Sequence, residues 1–76
     1  MINNVMHIRP GRYRHYKGND YLVLGIAVHS ETTEPLVVYA SAHDPEVRWA
    51  RPYAMFIGWV AYQDVIVPRF MYQGSQ

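Results

Sequence analysis

Apolar and polar positions alternate along much of the chain, and the clearest case runs from Tyr21 to His29. Its even positions, Leu22, Leu24, Ile26 and Val28, form an unbroken apolar face. Its odd positions, Tyr21, Val23, Gly25, Ala27 and His29, are smaller and more mixed. A period of two predicts a β-strand with its even face on the core. Gly25 in mid-strand predicts a bulge or a bend. The pattern repeats from Leu36 to about Ala42, with Leu36, Val38 and Ala40 on one side and Val37, Tyr39 and Ser41 on the other. Gly11 to Lys17 predicts a short first strand. It ends at Gly18-Asn19-Asp20, three residue types that tolerate the positive φ of a tight turn.

The second half of the chain is less regular. Arg48 to Arg51 fits a short strand that stops at Pro52, which lacks a ladder donor. Met55, Phe56, Trp59 and Val60 follow a 3.6-residue period, which predicts one or two helical turns within Tyr53 to Val60, weakened by Gly58. Val65 to about Tyr72 predicts a last strand, at an edge or bulged because it contains Pro68. Gly74-Ser75-Gln76 is expected to fray. Five short strands, one short helical turn and a glycine bend predict a mainly β fold, a small and strongly bent barrel.

With 76 residues the chain is one domain, residues 1–76, and half of it is hydrophobic, enough for a compact core. Seven Tyr, two Trp and two Phe supply large side chains to such a core. The absence of Cys excludes disulfides, thiolate zinc sites and cysteine nucleophiles. No 18-residue apolar run is present, so no helical membrane span is expected. Met1 to Met6 lacks the basic start and apolar centre of a leader peptide, and the expected location is cytoplasmic.

The net charge of +1 counts against unspecific nucleic-acid binding, which needs many phosphate contacts. The charge is nevertheless uneven: Arg9, Arg12, Arg14 and Lys17 precede any acidic residue. The segment Arg12-Tyr13-Arg14-His15-Tyr16-Lys17 combines base-stacking and phosphate-contacting side chains, and it alone carries a nucleic-acid reading.

The polar hexapeptide His29-Ser30-Glu31-Thr32-Thr33-Glu34 separates two apolar runs. The plainest interpretation is the connection of a β-hairpin, longer than the tightest types. His29 and Ser30 are adjacent, so in extended chain their side chains point apart and make a poor nucleophile–base pair. Gly-x-Ser-x-Gly and phosphate-cradling glycine loops are missing. The four histidines have no metal-ligand spacing, so neither a metal nor a cofactor is expected.

A binding site has better support. In Trp49-Ala50-Arg51-Pro52 the two-residue step puts Trp49 and Arg51 on one face, about 7 Å apart. Arg51 suits bidentate contact with a carboxylate or phosphate, and Trp49 offers a flat apolar wall. Arg69, between Pro68 and Phe70, is a second candidate. The structural alternative is that Arg51 and Arg69 pair internally with Glu31, Glu34 or Asp64.

Five ordered blocks resemble a known family: Gly11-x-Tyr13-Arg14-His15-Tyr16-Lys17-Gly18-Asn19-x-Tyr21, His29-Ser30-Glu31-Thr32, Leu36-Val37-Val38-Tyr39, Trp49-x-Arg51-Pro52-x-x-Met55-Phe56 and Pro68-Arg69-Phe70. Together they are similar to DUF1653, small bacterial domains of unknown function, over about residues 10–72. The resemblance implies an SH3-like barrel and brings no activity, cofactor or catalytic residue. It adds weight to a specific role for the hexapeptide, structural or functional.

The candidate site therefore comprises His15, His29, Glu31, Tyr39, Trp49, Arg51 and Arg69. Arg51 and Arg69 would hold an anionic group, Tyr39 and Trp49 would stack, and His29 with Glu31 would set hydrogen-bond specificity. The expected partner is an anionic small molecule, nucleotide or peptide. Two other classes stay open: an enzyme with His29 as general base oriented by Glu31, and a structural module that pairs two copies into a homo-oligomer through strand edges near Pro68.

Overall fold

The computed structural model describes residues 7–75. The leader-peptide expectation for Met1 to Met6 and the fraying expected at Gln76 lie outside the described residues. Seven strands and one short helix follow in the order β1 Gly11–His15, β2 Asp20–Val28, β3 Pro35–Ser41, β4 Arg48–Pro52, α1 Tyr53–Phe56, β5 Trp59–Tyr62, β6 Val65–Pro68 and β7 Phe70–Gly74. They form a five-stranded sheet, β4-β3-β2-β1-β7, and a separate hairpin, β5-β6, with every pairing antiparallel. The fold is mainly β, as the alternating pattern predicts. None of the helices described is long and apolar enough to cross a membrane.

The strand count departs from the five expected, at two places. Trp59 to Tyr62 is strand rather than a continuation of the helix, which ends at Phe56. Val65 to Tyr72 is not one strand but two, which belong to different sheets and are separated at Arg69. Pro68 ends the first of them, and the Arg69 backbone turns away to pair with Gly58 and Tyr16. Gly74, expected to fray, is the last residue of β7 and lies opposite Arg12.

The core face of β2 is also a correction. Leu24 is 48% exposed, whereas Val23 is buried at 4%. The cause is the bulge that Gly25 announces. Val23 pairs with Tyr39, but Gly25 pairs with Val38, so Leu24 is left over. One extra residue reverses the alternation. Before the bulge, Tyr21 and Val23 share a face with buried Tyr39. After it, Ile26 pairs with Val37 and takes over that face.

The core is therefore aromatic. Tyr13, Val23, Val37, Tyr39, Phe56 and Phe70 form one buried cluster. Cross-strand register puts Tyr13 opposite both Tyr21 and Tyr72, and His15 opposite Phe70. The helix α1 is only four residues long, too short to persist unaided. Phe56 anchors it: the ring is 1% exposed and stacks on Phe70 with centroids 4.0 Å apart and planes 7° apart. Tyr39 and Tyr13 meet Phe56 edge-on at 5.3 and 5.5 Å. Such stacked and edge-to-face pairs contribute about 0.5–1.5 kcal/mol each beyond their area.

One glycine is required by close approach. At Gly11, φ is +139° and an added Cβ would lie 2.5 Å from the Gly74 carbonyl oxygen. Only a residue without Cβ lets β1 begin against the end of β7.

Candidate functional site

β4 runs beside β3 with Tyr39 opposite Trp49 and Val37 opposite Arg51. Directly opposed residues project from the same face. Trp49 and Arg51 therefore share the aromatic face, as their spacing predicts. Trp49 is half exposed there. Arg51 lies along the buried rings: its Nε donates to the Tyr39 hydroxyl at 3.1 Å, and its guanidinium carbon is 5.6 Å from the centre of Phe70. The Tyr39 ring is 4% exposed and packs edge-on against Tyr21 and Phe70.

Arg69 reaches the same neighbourhood from the other side. Its backbone carbonyl accepts from Tyr16 N–H at 3.0 Å, its N–H donates to Gly58 O at 2.9 Å, and its side-chain Nε donates to Met55 O at 3.1 Å. The residue is thus held between the end of the first strand and the end of α1.

His15 sits between these arginines and the rings. It stacks on Tyr16 at 4.4 Å and meets Phe70 and Tyr21 edge-on at 5.0 and 6.4 Å. Its Nδ1 accepts the Lys17 N–H at 3.1 Å. Partial burial pushes its pKa below the ordinary imidazole value, and the charges of Arg51, Arg69 and Lys17 push it the same way. Three cationic side chains, Arg51, Arg69 and Lys17, thus act on His15.

Among the described residues no carboxylate pairs with Arg51 or Arg69. Among the described residues the ion pairs are Arg12–Asp20 at 3.2 Å and Arg14–Asp20 at 2.7 Å, on the opposite face. Internal pairing of Arg51 or Arg69 with Glu31, Glu34 or Asp64 does not form among the described residues. Asp20 is held below the usual carboxylate range, first by its hydrogen bond from Arg14. This engagement also breaks up the basic first strand: Arg12 and Arg14 lean on Asp20, while Tyr13 is buried and donates its hydroxyl to Arg9 O.

His29 and Glu31 do not join this group. His29 follows the last residue of β2, whereas His15 lies level with Asn19, before the first, so the two histidines are roughly 30 Å apart along the strand at ordinary rise. At the hairpin tip His29 works as a turn cap. Its Nδ1 accepts the N–H groups of Glu31 and Thr32 at 3.1 and 3.2 Å, and its own N–H donates to Glu34 O. The Glu31 carboxylate accepts from Ser30 rather than from the imidazole, so the oriented His–Glu pair needed for the enzyme alternative is not built. Thr33, at φ +63°, completes the reversal. His15 does the same with Nδ1 at the other turn. A histidine ending a strand before a polar turn is a legible signal for this device.

Sequence reasoning missed three lining side chains, Tyr16, Tyr21 and Phe70. It also missed a groove of about 420 Å³ beside His15, lined by Arg14, Tyr16, Tyr62, Val67, Pro68 and Met71 among others. The groove opens because Tyr62 of the β5-β6 hairpin meets Tyr16 edge-on at 5.0 Å without burying it. No group of residues able to hold a metal ion occurs among the described residues.

The chain matches one family, described as a protein of unknown function (DUF1653), over residues 11–72. Among solved structures it is similar to a crystal structure of a DUF1653 protein from Bordetella bronchiseptica. That chain is 40% identical, with a TM-score of 0.79 and 91% of each chain covered. No curated protein matches it.

Proposed function

The chain belongs to the DUF1653 family, whose function is unknown, and from this premise we propose that it is a small β binding module for an anionic ligand. The observation that carries this reading is the pair Arg51 and Arg69, which bring positive charge to His15 with no carboxylate within ion-pair distance among the described residues. Gathering like charges on a half-buried aromatic face is unfavourable unless something completes it. A carboxylate or phosphate would do so, with Arg51 and Arg69 presenting their terminal N–H groups.

The surroundings specify the rest of the ligand. Tyr39 and Phe70 form an apolar floor and Trp49 a flat, half-exposed wall. A separate open groove next to His15 lies past Tyr16 and Tyr62 on the side of the sheet that carries Arg14 and Met71. A small molecule, nucleotide or peptide end that joins one anionic group to a flat or apolar body matches this arrangement. The neutral His15 imidazole would supply a hydrogen bond through Nε2, since Nδ1 is engaged by Lys17 N–H.

A thermal-shift screen of small carboxylates, phosphates and nucleotides, run on the wild type and on Arg51→Ala, tests this reading. Compounds that raise the melting temperature of the wild type and leave the variant unmoved are expected. A screen in which stabilising anions act equally on both proteins would place the site elsewhere.

A further inference from the structure

β4 is an edge of the main sheet, and among the described residues no strand pairs with its free side. Two backbone bonds fix which of its groups are left over. Ser41 N–H donates to Val47 O, and Ala42 N–H donates to Asp20 O. Backbone direction alternates along an antiparallel strand. Ser41, Tyr39 and Val37 therefore turn their N–H and C=O groups toward β4, and Ala42 and Ala40 turn theirs toward β2. The partners Trp49 and Arg51 face β3, so Arg48, Ala50 and Pro52 face outward. Pro52 has no N–H to donate and stands at an outward position, where the ladder to β3 does not need one. The N–H and C=O of Arg48 and Ala50 are open, on a stretch that is exposed from Arg48 to Ala50. The other edge is a poorer template. The pairing of β7 with β1 shifts register beside Tyr13, and Met71 O already accepts from the Gln73 side chain.

We propose that the open edge of β4 takes an extended acidic peptide as an added antiparallel strand, one acidic side chain meeting Arg51 on the aromatic face and another meeting Arg48 on the opposite face. The inference rests on the anion-binding reading above and names its ligand. The occupant follows from charge. β4 holds two arginines and no acid. Neither belongs to the ion pairs formed among the described residues, Arg12–Asp20 and Arg14–Asp20. A second copy of β4 would bring two more arginines to the same edge, whereas an acidic strand offsets both faces at once. Alternation puts Trp49 and Arg51 on one face and Arg48 on the other. A single small anion at Arg51 therefore leaves Arg48 and the four open backbone groups unused. In an added strand, the residue opposite Arg51 is acidic, the one opposite Trp49 is flat or apolar, and the one opposite Arg48 is acidic. Main-chain bonds hold the strand and these side chains select it.

NMR titration of the wild-type protein with the peptide acetyl-Thr-Glu-Val-Tyr-Glu-Thr-amide tests the proposal. In the antiparallel register its Glu, Val, Tyr and Glu lie opposite Arg51, Ala50, Trp49 and Arg48. Val and the second Glu then exchange backbone bonds with Ala50 and Arg48, while the first Glu and Tyr turn their N–H groups to solvent. Binding is expected, with the Arg48 and Ala50 amides among those that shift. N-methylation of Val and the second Glu is expected to weaken it by about tenfold or more, and N-methylation of the first Glu and Tyr to change it by less than about threefold. Replacing both Glu by Gln is expected to weaken binding as well. No binding of the parent peptide, equal binding of the two N-methylated forms, or equal binding of the Gln form overturns the proposal. Phenyl phosphate, which can use the arginines but no ladder, is titrated in parallel. If it binds while the proposal fails by any of these results, the anion site stands without the added strand; if neither it nor the peptide binds, both readings fall.

Discussion

Replacing Phe56 by Ala removes the side chain that ties α1 to the sheet. The ring is 1% exposed and has Phe70, Tyr39 and Tyr13 at centroid distances of 4.0, 5.3 and 5.5 Å. A buried Phe→Ala change costs about 3–5 kcal/mol through lost transfer energy and the cavity left behind. The upper half of that range applies here, because three aromatic contacts go together and a four-residue helix has no second buried anchor. A chain of this length is stable by only ~4–11 kcal/mol in total, so a loss of about 4 kcal/mol removes a large part of it and lowers the melting temperature by roughly 15–30 °C. Urea unfolding followed by tryptophan fluorescence and by circular dichroism measures the loss, provided the slope against urea is unchanged. Phe56→Leu, which keeps an apolar side chain but loses the three ring contacts, is expected to destabilise less than Phe56→Ala. A loss below about 1 kcal/mol for Phe56→Ala would refute the claim that α1 is held by this stack.

Other substitutions test other parts of the account. Gly11→Ala introduces a Cβ 2.5 Å from Gly74 O at a φ of +139°, and is expected to destabilise by about 2 kcal/mol or more in the same unfolding assay. Gln63 and Asp64, the two-residue loop between β5 and β6, both have positive φ, at +52° and +66°. Asp64→Gly should therefore stabilise by about 0.5–1 kcal/mol, seen as a higher melting temperature. His15 has a folded pKa below its unfolded value, so the stability from its neutral form is present above pH ~6.5 and is lost as pH falls toward the folded pKa. An NMR titration of its ring should show a higher pKa in Arg51→Gln, where one nearby cation is gone; an unchanged value would contradict the geometry.

How much of this was legible in the sequence depends on whether one period held along an element. Strands β1, β3 and β4 kept their alternation, and so the shared face of Trp49 and Arg51 followed from spacing alone. In β2 the even-numbered leucines looked like the core, but the bulge at Gly25 switched faces midway and left Leu24 exposed. The turn between β5 and β6 escaped notice because Gln63-Asp64 lacks the glycine that marks such loops. Met55, Phe56, Trp59 and Val60 then mimicked a helical period across the change from helix to strand at Gly58. At the site, Arg51, Arg69 and Tyr39 were readable as types. Their convergence on His15 was not, since it depends on β7 pairing with β1 across most of the chain length. The hexapeptide that suggested hydrogen-bond specificity proved to be a turn whose histidine caps backbone N–H groups.

The central claim is that positive charge from Arg51 and Arg69 converges on His15 to receive an anion. The most direct measurement is the His15 pKa by NMR, alone and with saturating phenyl phosphate, which joins an anionic group to a flat apolar body. Binding at the arginines must raise that pKa, because the anion offsets the charges that depress it, and Arg51→Gln must weaken the effect. A His15 pKa that phenyl phosphate leaves where it was would contradict the account.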